Sequence, residues 1–172
     1  MNHGPWQRRA RKFLPELIYG ANDGIITTLA VVAGVVGANL SSHIILILGF
    51  ANLFADGFSM GASNVLSERS RGENPPTLAE AFPKGFATFC GFLCAGLVPL
   101  LAYLVPFHDG QRFVLAVGLA ASTLFLVGAS RALVTQRSWL PAGTEMLLIG
   151  SAAAAVAYAV GILGAALIGG GA

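Results

Sequence analysis

Charge is what this sequence has least of. Ten Lys or Arg and eight Asp or Glu make up 10% of 172 residues, where soluble domains carry about 25%. So few charges cannot clothe a water-facing surface. A chain that is 55% hydrophobic, with a mean hydropathy of +0.73, is expected to lie in a bilayer as one helical bundle. The net charge of +2 is too small to mark a nucleic-acid binder. Cysteine is nearly as scarce. Cys90 and Cys94 share one face of an apolar segment at i,i+4. Without His or carboxylate neighbours they make only a weak metal motif and read as small packing residues. No long internal repeat is present.

What is there is a set of apolar segments, each long enough to cross a bilayer, which takes about 20 residues. They predict an all-α membrane protein of five spans: Pro15 to Ala38, His43 to Leu66, Gly85 to Val105, Phe113 to Val134 and Gly143 to Gly169. Residues 1–13 form a basic arm with Arg8, Arg9, Arg11 and Lys12, anchored at the interface by Trp6 and Phe13. The arm resembles the first part of a signal peptide, but the apolar segment behind it is too long for one. Residues 14–172 are thus read as a single five-helix transmembrane domain with an uncleaved first span and a short polar loop, 67–84. Nine of the ten Lys and Arg fall in the arm, in residues 67–84 and in residues 131–141, and the other two turns hold only Arg112. The positive-inside rule then predicts a cytosolic N-terminus and a C-terminus outside or in a lumen. Small residues four apart, such as Gly20 and Gly24 or Gly57 and Gly61, would let helices approach closely in lipid.

Against this background several polar residues stand out. Asp23 lies in the first turns of span one, where an ionisable group costs about 2.5–3.5 kcal/mol by insertion scales. Such a group goes with a partner, an aqueous cavity or a transported ion. Glu16 lies seven residues before it and Thr27 one turn after it. In span two Asn52, Asp56, Met60, Asn64 and Glu68 recur every four residues, which makes one slowly winding stripe on a helix. Glu16 also suits a cap or a salt bridge to the arm, and Glu68 falls at the water boundary as a solvated group. Arg131 can snorkel to the interface, and Glu145, in the first turn of span five, suits the helix N-terminal dipole. Carboxylate and amide oxygens favour hard or borderline divalent cations, while a thioether favours softer transition metals. Metal binding requires deprotonated carboxylates, and a carboxylate in low dielectric holds its proton more readily than in water. The same stripe can therefore exchange protons for metal.

Three stretches carry a family resemblance. They are Tyr19-Gly-Ala-Asn-Asp-Gly-Ile-Ile-Thr-Thr-Leu-Ala-Val-Val-Ala-Gly-Val-Val-Gly-Ala, Ala55-Asp-Gly-Phe-Ser-Met-Gly-Ala-Ser, and Glu145-Met-Leu-Leu-Ile-Gly followed by Ala157-Tyr-Ala-Val-Gly. With weaker similarity through Phe86-Ala-Thr-Phe and Val98-Pro-Leu-Leu, the chain resembles the vacuolar iron transporter family over nearly all of its length after residue 15. The resemblance implies a homodimer with the ion path between the first helices of the two subunits. It implies export of Fe²⁺, sometimes Mn²⁺, from the cytosol in exchange for H⁺, with no permanently bound cofactor. Asp23 and Met60 match the family's metal ligands and Glu16 its preceding acidic residue. The chain departs from the pattern in four places. About 17 residues, Ser67 to Pro83, stand where many relatives carry a Glu-rich metal-collecting domain. Ser70-Arg71 replaces a Ser-Glu pair, Asn52 replaces an acidic residue, and Glu145 replaces a basic one. The missing domain leaves the metal source open, with a ferritin-like donor as one candidate.

Two other readings compete. Asp23 and Asp56 superficially suggest an aspartyl protease, where one acid and one base share a proton, but Phe54-Ala-Asp-Gly is the wrong context and an enzyme is not expected. A non-transporting membrane metal sensor or partner protein would explain the missing domain. A short chain of this kind fits a prokaryotic inner membrane, or a vacuolar-type membrane in a eukaryote.

Overall fold

The computed structural model describes the backbone of residues 5–132 and 138–169 and the side chains of residues 13–132 and 138–168. The described residues are helical without strands, in the order α1 (Pro5–Gly37), α2 (Ser42–Arg69), α3 (Leu78–Leu101), α4 (Asp109–Ser130) and α5 (Trp139–Gly169). All five helices are long and apolar enough to cross a membrane. Part of the last expected turn, Gln136 and Arg137, lies outside the described residues.

The helix ends differ from the expected spans for identifiable reasons. The α1 backbone is helical from Pro5, so residues 5–13 run into the first span without a break. At its other end Asn39 takes the left-handed conformation, with φ 55°. The Leu40 N–H donates to the Val35 carbonyl at 3.1 Å and the Asn39 N–H to Val36 at 3.0 Å, a Schellman closure with Asn in the position glycine usually fills. Pro83 suggests that span three starts at Gly85, yet α3 begins at Leu78. The Thr77 N–H and hydroxyl both donate to Glu80 Oε2, each at 2.8 Å, so the helix is capped before Pro83 is reached. Pro83 then costs α3 one backbone hydrogen bond rather than ending it. Lys84 is thereby carried onto a helix instead of a loop. Helix α5 likewise starts at Trp139, so Glu145 lies beyond its first turn.

Helix α1 is the centre of the bundle. It packs most heavily on α3, then on α5, and only lightly on α2, which leans on α3 instead. Backbone contact makes the α1–α3 seam possible. A Cβ at Gly24 would collide with the backbone of Phe92, and one at Gly91 with the backbone of Leu17. Phe92, Leu53, Val32 and Leu100 fill the core beside this seam, and Ile25, Leu29, Leu124 and Met146 form a second cluster toward α4 and α5. The outer faces carry exposed Phe58, Ile47, Leu126, Val156 and Leu167, apolar surface that lipid accepts and water does not.

The seam yields a stability prediction. Gly24→Val forces α1 off α3 and should cost about 1–3 kcal/mol or more as overpacking. Gly118→Ala meets nothing within 4 Å and should be neutral or stabilising by about 0.5–1 kcal/mol, as alanine is the better helix former. Thermal unfolding in detergent, followed by the loss of the monodisperse peak in size-exclusion chromatography, separates the two. Equal melting of both variants would show that the seam tolerates a gap.

Candidate metal path

The packing against α3 sets the level of every polar side chain in α1 and α2. A Cβ on Gly24 of α1 would meet the Phe92 backbone, and one on Gly57 of α2 would meet the Phe92 ring. Both glycines are preceded by aspartate, so Asp23 and Asp56 arrive at the same depth on either side of Phe92. Asp23 is half-buried and Asp56 exposed, and the two are close enough for their charges to interact. Thr27 follows one turn on, but its hydroxyl proton is donated to the Asp23 backbone carbonyl at 2.9 Å. Only its lone pairs remain for a ligand. Asn52, one turn beyond Asp56, is half-buried, and its amide nitrogen is buried without a hydrogen-bond partner.

One level nearer the start of α1, Asn64 Nδ2 donates to Thr88 Oγ1 of α3 at 3.0 Å. Its Oδ1 is buried and accepts no hydrogen bond. Beyond it lies a cavity of about 550 Å³ whose walls include Glu16, Tyr19, Met60, Asn64, Glu68 and Lys84. Met60 has two roles here, because it also packs against the Phe92 core. Glu68 is not simply solvated, as its place in the sequence suggests. Lys84 Nζ donates to its Oε2 at 2.6 Å, and Arg71 Nη1 lies 2.9 Å from its Oε1. Lys84 Nζ also lies 3.9 Å from Glu16 Oε1, while Glu16 Oε2 is buried without a partner.

The structure thus brings Glu16, Met60, Asn64 and Glu68 to one cavity, and Asp23 and Asp56 to one level. Lys84, which falls within the expected polar loop 67–84, stands on α3 instead. The Thr77–Glu80 capping box, directly behind Pro75-Pro76, was the signal that puts it on α3. Asn22 is a second addition: its Oδ1 is buried without a partner. It lines a further cavity of about 430 Å³ with Tyr19, Arg131, Glu145 and Met146. There Arg131 Nη1 reaches Glu145 Oε2 at 3.5 Å, so Glu145 serves an ion pair rather than a helix terminus. Among the described residues no three His, Cys, Asp or Glu side chains gather closely enough to hold a metal ion. A cation here would meet carboxylates in pairs, supplemented by amide oxygen and thioether sulfur.

The sequence model of the VIT family matches residues 14–77 and 72–162, two segments that meet at the α2–α3 connection. Among curated proteins the chain is similar to the vacuolar iron transporter of Plasmodium berghei, with 26% identity across 87% of this chain and 81% of that protein. It is 22% identical to vacuolar iron transporter 1 of Arabidopsis thaliana across 87% of this chain and 85% of the relative. A vacuolar iron transporter homolog 2 of rice is 27% identical, with 87% and 89% covered. The Plasmodium alignment runs over 222 positions although this chain has 172 residues, so that relative carries residues this chain lacks. With its five membrane-length helices and a family match over most of its length, the chain belongs to the VIT family.

Proposed function

We propose that this protein exports a divalent transition metal, Fe²⁺ and secondarily Mn²⁺, from the cytosol in exchange for protons. The observation that carries the reading is the arrival of Asp23 and Asp56 at one depth, each beside a glycine seated against Phe92, next to a cavity lined by Glu16, Met60, Asn64 and Glu68. The relatives' names as iron transporters support the cargo. A hard carboxylate pair with one thioether suits Fe²⁺ or Mn²⁺ better than Mg²⁺ or Ca²⁺. Because a carboxylate must shed its proton to take the metal, each load can be matched to proton release and each discharge to proton uptake. By the positive-inside rule, the basic residues at the start of α1 and around residues 69–84 support a cytosolic position for this end; the membrane is a prokaryotic inner membrane or a vacuolar-type membrane.

The working unit is a homodimer. Among the described residues of a single chain no three His, Cys, Asp or Glu gather to hold a metal, and Asp56 is exposed on α2, which also exposes Ala51, Ala55, Ser59 and Ser63. Small residues at this spacing let a second helix approach closely, which would seal the open side of the path and add the second copy's ligands. Only eight residues, 70–77, join α2 to α3, so no capture domain stands there and a soluble donor, such as a ferritin-like protein, delivers the metal. The same short connection favours a second reading, a membrane metal sensor that carries no flux.

Uptake into proteoliposomes with an imposed pH gradient tests the proposal, with reduced Fe²⁺, Mn²⁺ and Zn²⁺ side by side. Fe²⁺ uptake should collapse when the gradient is dissipated. Asp23→Ala should bring it to the level of protein-free vesicles while the protein stays folded. Wild-type flux in that variant would refute the path. Absence of flux for every ion, from folded wild-type protein, would favour the sensor.

Met60→Leu keeps the volume and removes the sulfur. It should weaken the apparent affinity for Fe²⁺ by about three- to tenfold, the effect of losing one soft ligand worth about 1 kcal/mol, with little change in melting temperature. An unchanged metal preference would assign Met60 to packing alone.

A further inference from the structure

Lys84 has no evident place in a path for cations, yet it stands in the middle of the mouth. It rises from α3 into a cavity walled by α1 and α2 and bridges a carboxylate from each, Glu68 at 2.6 Å and Glu16 at 3.9 Å. Its side chain is 26% exposed, and those of Glu16 and Glu68 are 14% and 15% exposed. Arg71, the other cation on Glu68, is 71% exposed and screened by solvent. The inner ammonium is therefore the cation that balances this pair.

The balance is incomplete. The Glu16 and Asn64 side chains line the same cavity, and Glu16 Oε2 and Asn64 Oδ1 are buried and accept no hydrogen bond. Buried acceptors are normally satisfied. An ammonium has three donors on a flexible stem and is a compact point charge. It reaches one end of this acceptor set and leaves the other end empty. A site with more acceptors than its resident cation fills has the chemistry of a site for a larger charge that brings its own water.

We propose that the Lys84 ammonium is a tethered surrogate for the cargo, which holds the Glu16–Glu68 pair when no metal is present and is displaced when a divalent cation enters. The identity of the displacing ion rests on the metal-path reading of this cavity. Displacement explains a preference by charge. A monovalent ion offers the carboxylates no more charge than the ammonium, which is held at high effective concentration by its own backbone. A divalent ion offers twice the charge and displaces it. Lys84 thus sets both the affinity of the mouth and its discrimination against Na⁺ and K⁺, and it keeps an empty mouth from standing open as an uncompensated acidic pair.

The test is Mn²⁺ binding to purified full-length protein in detergent, read by electron paramagnetic resonance, with vesicle uptake measured on the same preparations. Lys84→Met keeps the stem and removes the charge, and should bind Mn²⁺ about tenfold more tightly, the effect of removing one close competing charge. The gain should vanish in Lys84→Met/Glu16→Gln/Glu68→Gln. Lys84→Arg should stay near wild type. Lys84→Gln serves in place of Lys84→Met if the latter does not fold, with the same expected direction. A structural tie would give a lower melting temperature and no tighter binding. Equal or weaker affinity in the charge-free variants, or no Mn²⁺ binding in any protein, would overturn the proposal. If affinity rises in protein that carries no flux, the displacement stands and the exporter reading fails. If wild type carries flux while the variants gain no affinity, the exporter stands and the displacement fails.

Discussion

The bundle depends on the contact of two backbones. Where α1 crosses α3, glycines remove the side chains that would hold the helices apart, and each glycine lies against main chain of the other helix. In lipid there is no hydrophobic drive to bring helices together, so close packing has to supply the association energy. The seam does more than hold the bundle. It fixes the height of every residue on α1 relative to α3, and α2 takes its own height from the same helix through Gly57 and Gly61. Two aspartates that are 33 residues apart in sequence come to one depth because both of their neighbouring glycines are seated against Phe92.

From that ruler the polar residues sort into two zones. The deep zone holds Asp23 and Asp56, with no cation among their described contacts and only light packing between their helices. The outer zone holds Glu16 and Glu68 with Lys84 and Arg71, where each carboxylate has at least one basic neighbour. A buried charge is tolerated when it is paired. The outer zone satisfies that condition within a single chain, and the deep zone has no such cation among the described residues.

Much of this was legible in the sequence. Five apolar segments gave the five helices because length and hydropathy alone decide what can span a bilayer. The four-residue recurrence of Asn52, Asp56, Met60, Asn64 and Glu68 gave the stripe because a helix returns to nearly the same face every four residues. What escaped were features decided between helices. Lys84 was hidden by Pro83, a residue that reads as a boundary until the cap at Thr77 and Glu80 is weighed against it. The Arg131–Glu145 pair was hidden because each residue had a sufficient local explanation, snorkelling for one and the helix dipole for the other. The unsatisfied oxygens of Glu16, Asn22 and Asn64 have no sequence signature at all, since they are defined by the donors that fail to reach them.

The connection between α2 and α3 has a further consequence. Helix α2 closes on itself through the Ser70 and Arg71 amides, α3 opens under its own Thr77–Glu80 cap, and a Cβ on Gly72, at φ 72°, would meet nothing within 4 Å. Neither helix needs residues 72–76 to end correctly. This is the architecture of a socket: a folded module of any length can be inserted here or removed without disturbing a membrane contact, because exposed loop tips tolerate insertion. A chain that carries additional residues at this connection can therefore share the same membrane body, and such an insertion is an accessory of the chain rather than a support of its fold.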